Sequence, residues 1–263
     1  MMEVVRFEQQ NSLGHIVLAN PPGNLINIRF SEDLQKAVHA AGASNIRALL
    51  VRAEGSNFSQ GGDILDFIDR DAKSFRTFVG EVHQSYRAIE TLEIPTVCAV
   101  RGAAFGGGLE LVLACDLVVA AENAVFFCVE ASVGSAPLAG AVQRLASRIG
   151  RARAARYAML SEKFSGVMAG QLGAVSHVVP ESEVESTALA LAQKLSIGPT
   201  RSYAAIRALL KAWSGGGIPA ADALQLDLTM GLHSTEDARR GRAARVEALK
   251  KGVEPSPPVF EGR

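Results

Sequence analysis

The chain has 263 residues, of which 48% are hydrophobic and 21% charged, enough apolar side chain for one large α/β core. Lysine plus arginine number 27, as do aspartate plus glutamate, so bulk charge offers no attraction to nucleic acid or to an anionic membrane. Cys98, Cys115 and Cys128 lack CxxC spacing and read as reduced packing residues of a cytoplasmic protein.

The start, Met-Met-Glu-Val-Val-Arg-Phe-Glu, has no cationic stretch leading into an apolar one, so no signal peptide is expected. Val4–Glu8 and His15–Leu18 read as a hairpin turned at Asn11-Ser12-Leu13-Gly14. Asn20-Pro21-Pro22-Gly23-Asn24 must be a loop, since two prolines and a glycine do not continue a ladder. A helix is predicted from Ser31 as N-cap, with Leu34, Ala37 and Val38 on its inner face. Arg47–Arg52 is a short apolar run typical of a buried strand, and Glu54–Gly62 is a polar, glycine-containing loop. Over Ala72–Leu92, Phe75, Phe78, Val79, Val82, Tyr86 and Ile89 recur at helical spacing and read as core.

Pro95–Val100 reads as a strand, Gly102–Gly108 as a tight turn, Leu109–Ala114 as a helix and Leu117–Ala120 as another buried strand. That alternation implies parallel strands covered by helices. The most apolar region, Thr96–Ala121, is interrupted by Arg101, Glu110 and Asp116, so no membrane span is expected. Beyond Ala141 the pattern is mostly helical, broken at Gly198-Pro199-Thr200 and at Trp213–Gly217, with a charged last helix over Asp237–Lys251. A large N-terminal α/β part and a smaller helical C-terminal part follow, divided near Glu185–Pro199 and set at residues 1–190 and 191–263.

Three segments combine special backbone residues with a carboxylate. In Phe58-Ser59-Gln60-Gly61-Gly62-Asp63, adjacent glycines let a ligand approach the backbone, and free N–H groups in such a turn form an anion-binding concavity. Arg101-Gly102 through Gly106-Gly107-Gly108-Leu109-Glu110 links a strand to a helix start, where unpaired N–H groups suit a phosphate or a developing oxyanion. It fits neither the dinucleotide GxGxxG pattern nor a P-loop. Glu110 lies among leucines and valine, where burial raises a carboxyl toward acid–base use; as a helix-start residue it could equally be solvated. Glu130 ends the apolar run from Phe126, either as a second proton-handling acid or as the partner of an arginine such as Arg144. Five scattered histidines give no metal-ligand spacing, and no GxSxG elbow is present.

Taken in order, these segments resemble the crotonase, or enoyl-CoA hydratase/isomerase, superfamily. The likeness is carried by Gly55…Phe58-Ser59-Gln60-Gly61-Gly62-Asp63, Ile94–Gly102, Gly106–Leu111…Cys115-Asp116 and Glu130…Val133-Gly134…Pro137…Gln143-Arg144-Leu145. Ala169–Val175, Val178-Val179-Pro180 and Ser234–Asp237 extend it. The resemblance implies a crotonase-like ββα-repeat spiral core with a small C-terminal helical domain that assembles homotrimers or homohexamers and covers coenzyme A. It implies a role in fatty acid metabolism on an acyl-CoA thioester, with coenzyme A as part of the substrate and no separate cofactor or metal.

Residue by residue, it implies that the Gly62 and Gly107 amides form an oxyanion hole. Glu110 matches the acid that activates water, and Glu130 the acid that protonates the α-carbon. Gln60, Gly61, Asp63, Gly106, Pro137 and Leu138 are the implied substrate contacts. Two acids favour enoyl-CoA hydration. The alternatives are isomerase, decarboxylase, ring-opening hydrolase or lyase chemistry on the same scaffold, or a non-catalytic binding protein. The chain departs from the family at Pro137-Leu138-Ala139-Gly140-Ala141-Val142, where a Pro-Gly-x-Gly-Gly-Thr run is usual. It also has Pro22-Gly23-Asn24 where a basic residue is common, and leaves Arg245, Lys250, Lys251 and Phe260 as loose candidates over the nucleotide.

Overall fold

A computed structural model describes residues 3–256 and 258–262. The hairpin is longer than its alternation suggests: β1 (Val5–Gln10) pairs antiparallel with β2 (Leu13–Leu18) through a two-residue turn in which Asn11 takes φ 56°. Helix α1 (Ile28–Ala43) starts earlier than Ser31, because the Asn27 side chain caps it by accepting from the Phe30 amide at 3.0 Å. Asparagine caps as well as serine, and Ser31 is instead buried inside the helix.

Next come β3 (Ala48–Ala53), a single turn α2 (Ile64–Phe67) and α3 (Ala72–Thr91), followed by β4 (Thr96–Val100). Part of the expected tight turn at Gly102–Gly108 is a strand, β5 (Ala103–Phe105), too short to show a period. The helix α4 (Gly107–Leu113), β6 (Leu117–Ala121), β7 (Val125–Phe127) and a 3₁₀ turn over Glu130–Val133 lead to the helical remainder. That remainder comprises α5 (Ala141–Ile149), α6 (Arg151–Met159), β8 (Phe164–Ser165), α7 (Gly166–Leu172), β9 (His177–Val179), α8 (Val184–Ser196), α9 (Thr200–His233) and α10 (Glu236–Lys251).

Six strands form one sheet in the order β1-β2-β3-β4-β6-β9, parallel except for the first pair. The runs at β2, β4 and most of β3 and β6 are buried, as strands covered by helices must be. A second sheet, β5-β7-β8, is joined to the loop after β3 by a bridge between Ser59 and Ala104. Between them, these sheets and their covering helices make a mixed α/β fold with a helical C-terminal region.

The 190/191 division falls inside α8, whose Val184, Ala188 and Ala192 are fully buried and which packs on β3, β4 and β6. Helix α9 breaks at Gly216 and Gly217, the latter at φ 68°, within the expected interruption. It is tied to the core by Arg207, which donates to the carbonyls of Ile89 and Glu90 and pairs with Asp116. No helix among the described residues is long and apolar enough to cross a membrane.

Candidate active site

Two loops meet beneath the start of α4. The loop after β3 is pinned by Asn24, whose side-chain amide donates to the carbonyls of Glu54 (3.0 Å) and Asn57 (2.9 Å). The Ser59 hydroxyl donates to the Asn24 carbonyl (2.8 Å) and accepts from the Gly61 amide (3.1 Å). The Gly61 carbonyl accepts from Ile26, and the Ile26 carbonyl accepts from Asp63, both at 2.9 Å. The Gly62 amide between them is skipped and has no acceptor among the described residues. Gly107 opens α4, so its amide has no intrahelical partner.

Both candidate oxyanion amides follow a glycine in the left-handed region: Gly61 at φ 88° precedes Gly62, and Gly106 at φ 48° precedes Gly107. The positive φ sets the plane of the next peptide, a conformation other residues reach only with strain. Space also forbids a side chain here. A Cβ on Gly61 would stand 2.8 Å from the Phe105 carbonyl oxygen, and one on Gly106 would stand 3.0 Å from Glu130 Oε1. The latter approach places the Glu130 carboxyl directly over the Gly106–Gly107 turn.

Glu110 is 2% exposed, so it is not a solvated helix-start residue. Its Oε1 accepts from the amides of Ala139 (2.7 Å) and Ala141 (3.1 Å). Burial raises its pKa, while those donors and the charge of Arg144 pull the other way. The replacement of a family glycine by Ala141 thus leaves its backbone donor in place, since every non-proline residue supplies one. Glu130 is 8% exposed and its Oε2 is buried with no hydrogen-bond partner. Burial, followed by the Glu110 charge, pushes its pKa up to about 7, with only its own backbone amide opposing. The expected alternative pairing of Glu130 with Arg144 does not occur: Arg144 is bonded to Glu90 and to the Ala139 carbonyl.

Gly62, Gly107, Glu110 and Glu130 line one cavity of about 220 Å³. Gln60, Gly106 and Leu138 line it as well. Gly61 lies behind the lining against Phe105, Asp63 stands at the N-cap of α2, and Pro137 only leads into Leu138. Sequence reasoning assigned Phe75, Phe78, Val79 and Val82 to the core; they form an apolar wall of this cavity with Phe67. It read Tyr86 as core as well, and Tyr86 is fully buried there, but it also donates its hydroxyl to the Gly107 carbonyl at 2.9 Å. A hydroxyl on an otherwise apolar helix stripe was the one signal available. Of the nucleotide candidates, Arg245 lies 3.9 Å from Glu254 and Phe260 packs near Gly241. Among the described residues no group of three or more His, Cys, Asp or Glu is placed to hold a metal ion, and the three cysteines are free and buried.

The sequence profile described as "Enoyl-CoA hydratase/isomerase" matches residues 8–255. A "Probable enoyl-CoA hydratase" of Rhodobacter capsulatus is 31% identical over 260 residues, covering 98% of each chain. A "Trans-2-decenoyl-[acyl-carrier-protein] isomerase" of Streptococcus mutans is 28% identical over 265 residues, again covering 98% of each. The crystal structure of an enoyl-CoA hydratase from Polaromonas sp. JS666 superposes with a TM-score of 0.85 at 27% identity, over 96% of this chain and 98% of the other.

Proposed function

The chain belongs to the enoyl-CoA hydratase/isomerase family of crotonase-fold enzymes, and from that premise we propose that it adds water across the C2=C3 bond of a 2-enoyl-CoA thioester. The observation that carries this reading is the meeting of two unpaired amides, Gly62 and Gly107, with two buried carboxyls, Glu110 and Glu130, on one cavity. The thioester oxygen accepts from both amides. Glu110, whose charged form the Ala139 and Ala141 amides favour against the effect of burial, takes a proton from water as the hydroxyl oxygen bonds to C3. The electron pair of the double bond moves onto the thioester as an enolate, where each amide contributes roughly 2.7–4 kcal/mol to the transition state. Glu130 then gives its proton to C2, and an acid near pH 7 in its titration is suited to that step. Coenzyme A enters as part of the substrate, and this chemistry calls for no further cofactor.

The test is turnover of crotonyl-CoA and longer enoyl-CoAs, followed as loss of enone absorbance. Absence of hydration on every member, in folded protein, removes the reading. A double-bond isomerase is the second reading, favoured by the Streptococcus mutans relative. Product analysis on a 3-enoyl thioester separates it from hydration, and from decarboxylase, ring-opening hydrolase or lyase chemistry. A non-catalytic RNA-binding role is disfavoured by the zero net charge.

The same reading makes the helical arm after residue 190 an assembly element for a homotrimer or homohexamer that covers coenzyme A. In its support, Ile206, Leu210, Trp213, Ile218, Leu226 and Met230 on α9 are exposed in the single chain. Sedimentation of the purified protein checks this. The free, buried cysteines accord with a cytoplasmic location.

A further inference from the structure

Past the reacting carbons the cavity is closed by rings. Phe67, Phe75 and Phe78 pack with centroids 5.5–6.5 Å apart, joined by Val79 and Val82 of α3 and faced by Leu138. Among the described residues lining it, the only ionisable groups are Glu110 and Glu130, both acids, and no lysine, arginine or histidine reaches it. The nearby cations are engaged elsewhere: Arg70 holds Asp66 at 3.2 Å, and Arg144 holds Glu90.

We propose that this site selects an acyl group that is uncharged beyond C3, an alkyl or aryl chain, and rejects one that ends in a carboxylate. This rests on the enoyl-CoA reading above. A carboxylate drawn along the ring-lined wall would lose its water with no cation on the lining to replace it, which is strongly unfavourable. The charged form of Glu110 would repel it as well. For an uncharged chain the same wall is favourable. A dry apolar cavity of about 150 Å³ suffices for benzene, so about 220 Å³ takes the reacting carbons with an aryl or short alkyl tail. Each methylene that enters raises kcat/KM by roughly fourfold, equivalent to about 0.8 kcal/mol.

The experiment compares two thioesters of equal carbon number on the wild-type protein. For turnover these are trans-2-hexenoyl-CoA and the corresponding 6-carboxylate, trans-2-hexenedioyl-CoA. For binding they are the unreactive hexanoyl-CoA and adipoyl-CoA, titrated calorimetrically. The uncharged member of each pair should win by at least roughly 100-fold, the scale of leaving a buried polar group without a partner. Equal or tighter binding of adipoyl-CoA overturns the proposal, as does equal hydration of the two enoyl thioesters. If neither enoyl thioester is hydrated while hexanoyl-CoA still binds the tighter, the hydratase reading falls and this one stands.

Discussion

Arg144 of α5 grips Glu90 of α3 through two parallel hydrogen bonds, Nε to Oε1 at 2.5 Å and Nη2 to Oε2 at 2.7 Å. Its third donor, Nη1, reaches the Ala139 carbonyl at 2.6 Å. The Ala139 and Ala141 amides in turn hold Glu110, so this bidentate pair fixes the strap that aims a site carboxylate. Neither Arg144 nor Glu90 lines the wall beside the acids, and their action is positional. Arg144→Lys keeps the charge and loses the fork. We expect kcat to fall by up to roughly 100-fold, the effect of a displacement near 1 Å, with a much smaller change in KM. A variant that changes only thermal stability would make the pair purely structural.

Sequence reading succeeds where burial leaves a pattern and fails where backbone geometry decides. Ala48–Ala53, Thr96–Val100 and Leu117–Ala121 are readable because parallel strands under helices are short apolar runs. Ala103–Phe105 is too brief to carry a period, and Asn27 and Ser31 are equally good caps, so nothing local separates them. Glu110 and Glu130 stand out as charges in apolar company. Their donors do not, since Ala139 and Ala141 contribute only amides, which every alanine has. The cavity role of Phe75 and Phe78 is hidden likewise, because the stripe that faces a core and the stripe that faces a pocket have one period.

The two acids should separate by isotope labelling. Glu110→Gln retains an oxygen that can accept from Ala139 and Ala141, so the fold is expected to persist. Loss of a positioned acid or base lowers rate by roughly 10²–10⁴-fold, and both Glu110→Gln and Glu130→Gln should fall in that range for hydration. In deuterated water, exchange of the α-proton of a saturated acyl-CoA should survive in Glu110→Gln and disappear in Glu130→Gln. The reverse pattern would exchange the two roles. An unchanged overall rate in Glu110→Gln would favour the isomerase reading.

Titration of Glu130 gives two linked pH effects. In hydration, kcat/KM should fall as pH rises through about 7, as Glu130 loses the proton it must deliver, and Glu130→Gln should abolish that limb. For stability the sign follows from a pKa raised from 4.5 in the unfolded chain to about 7 in the fold. The native state binds more protons in that window, so the contribution is complete below about 4.5 and is lost as pH rises through about 7. Glu130→Gln should therefore melt higher than wild type at pH 8 and gain nothing at pH 5; about 1 kcal/mol corresponds to roughly 2–4 °C for a chain of this size. A difference between the proteins that is the same at both pH values would contradict the assignment.

Tyr86 presents the same kind of support from the other side of the cavity. Its hydroxyl holds the Gly107 carbonyl at 2.9 Å from inside the core, one peptide away from the unpaired Gly107 amide proposed to receive the thioester oxygen. Tyr86→Phe removes that bond and almost no volume. The Gly107 carbonyl sits in the first turn of α4, where the helix also provides a donor, so the loss should be only about 1 kcal/mol of stability. If the hydroxyl also fixes the turn, kcat for hydration should drop several-fold while the affinity for saturated acyl-CoA, read by calorimetry, hardly moves. Equal losses in affinity and rate would assign Tyr86 to ground-state binding, and an unchanged kcat would reduce it to packing.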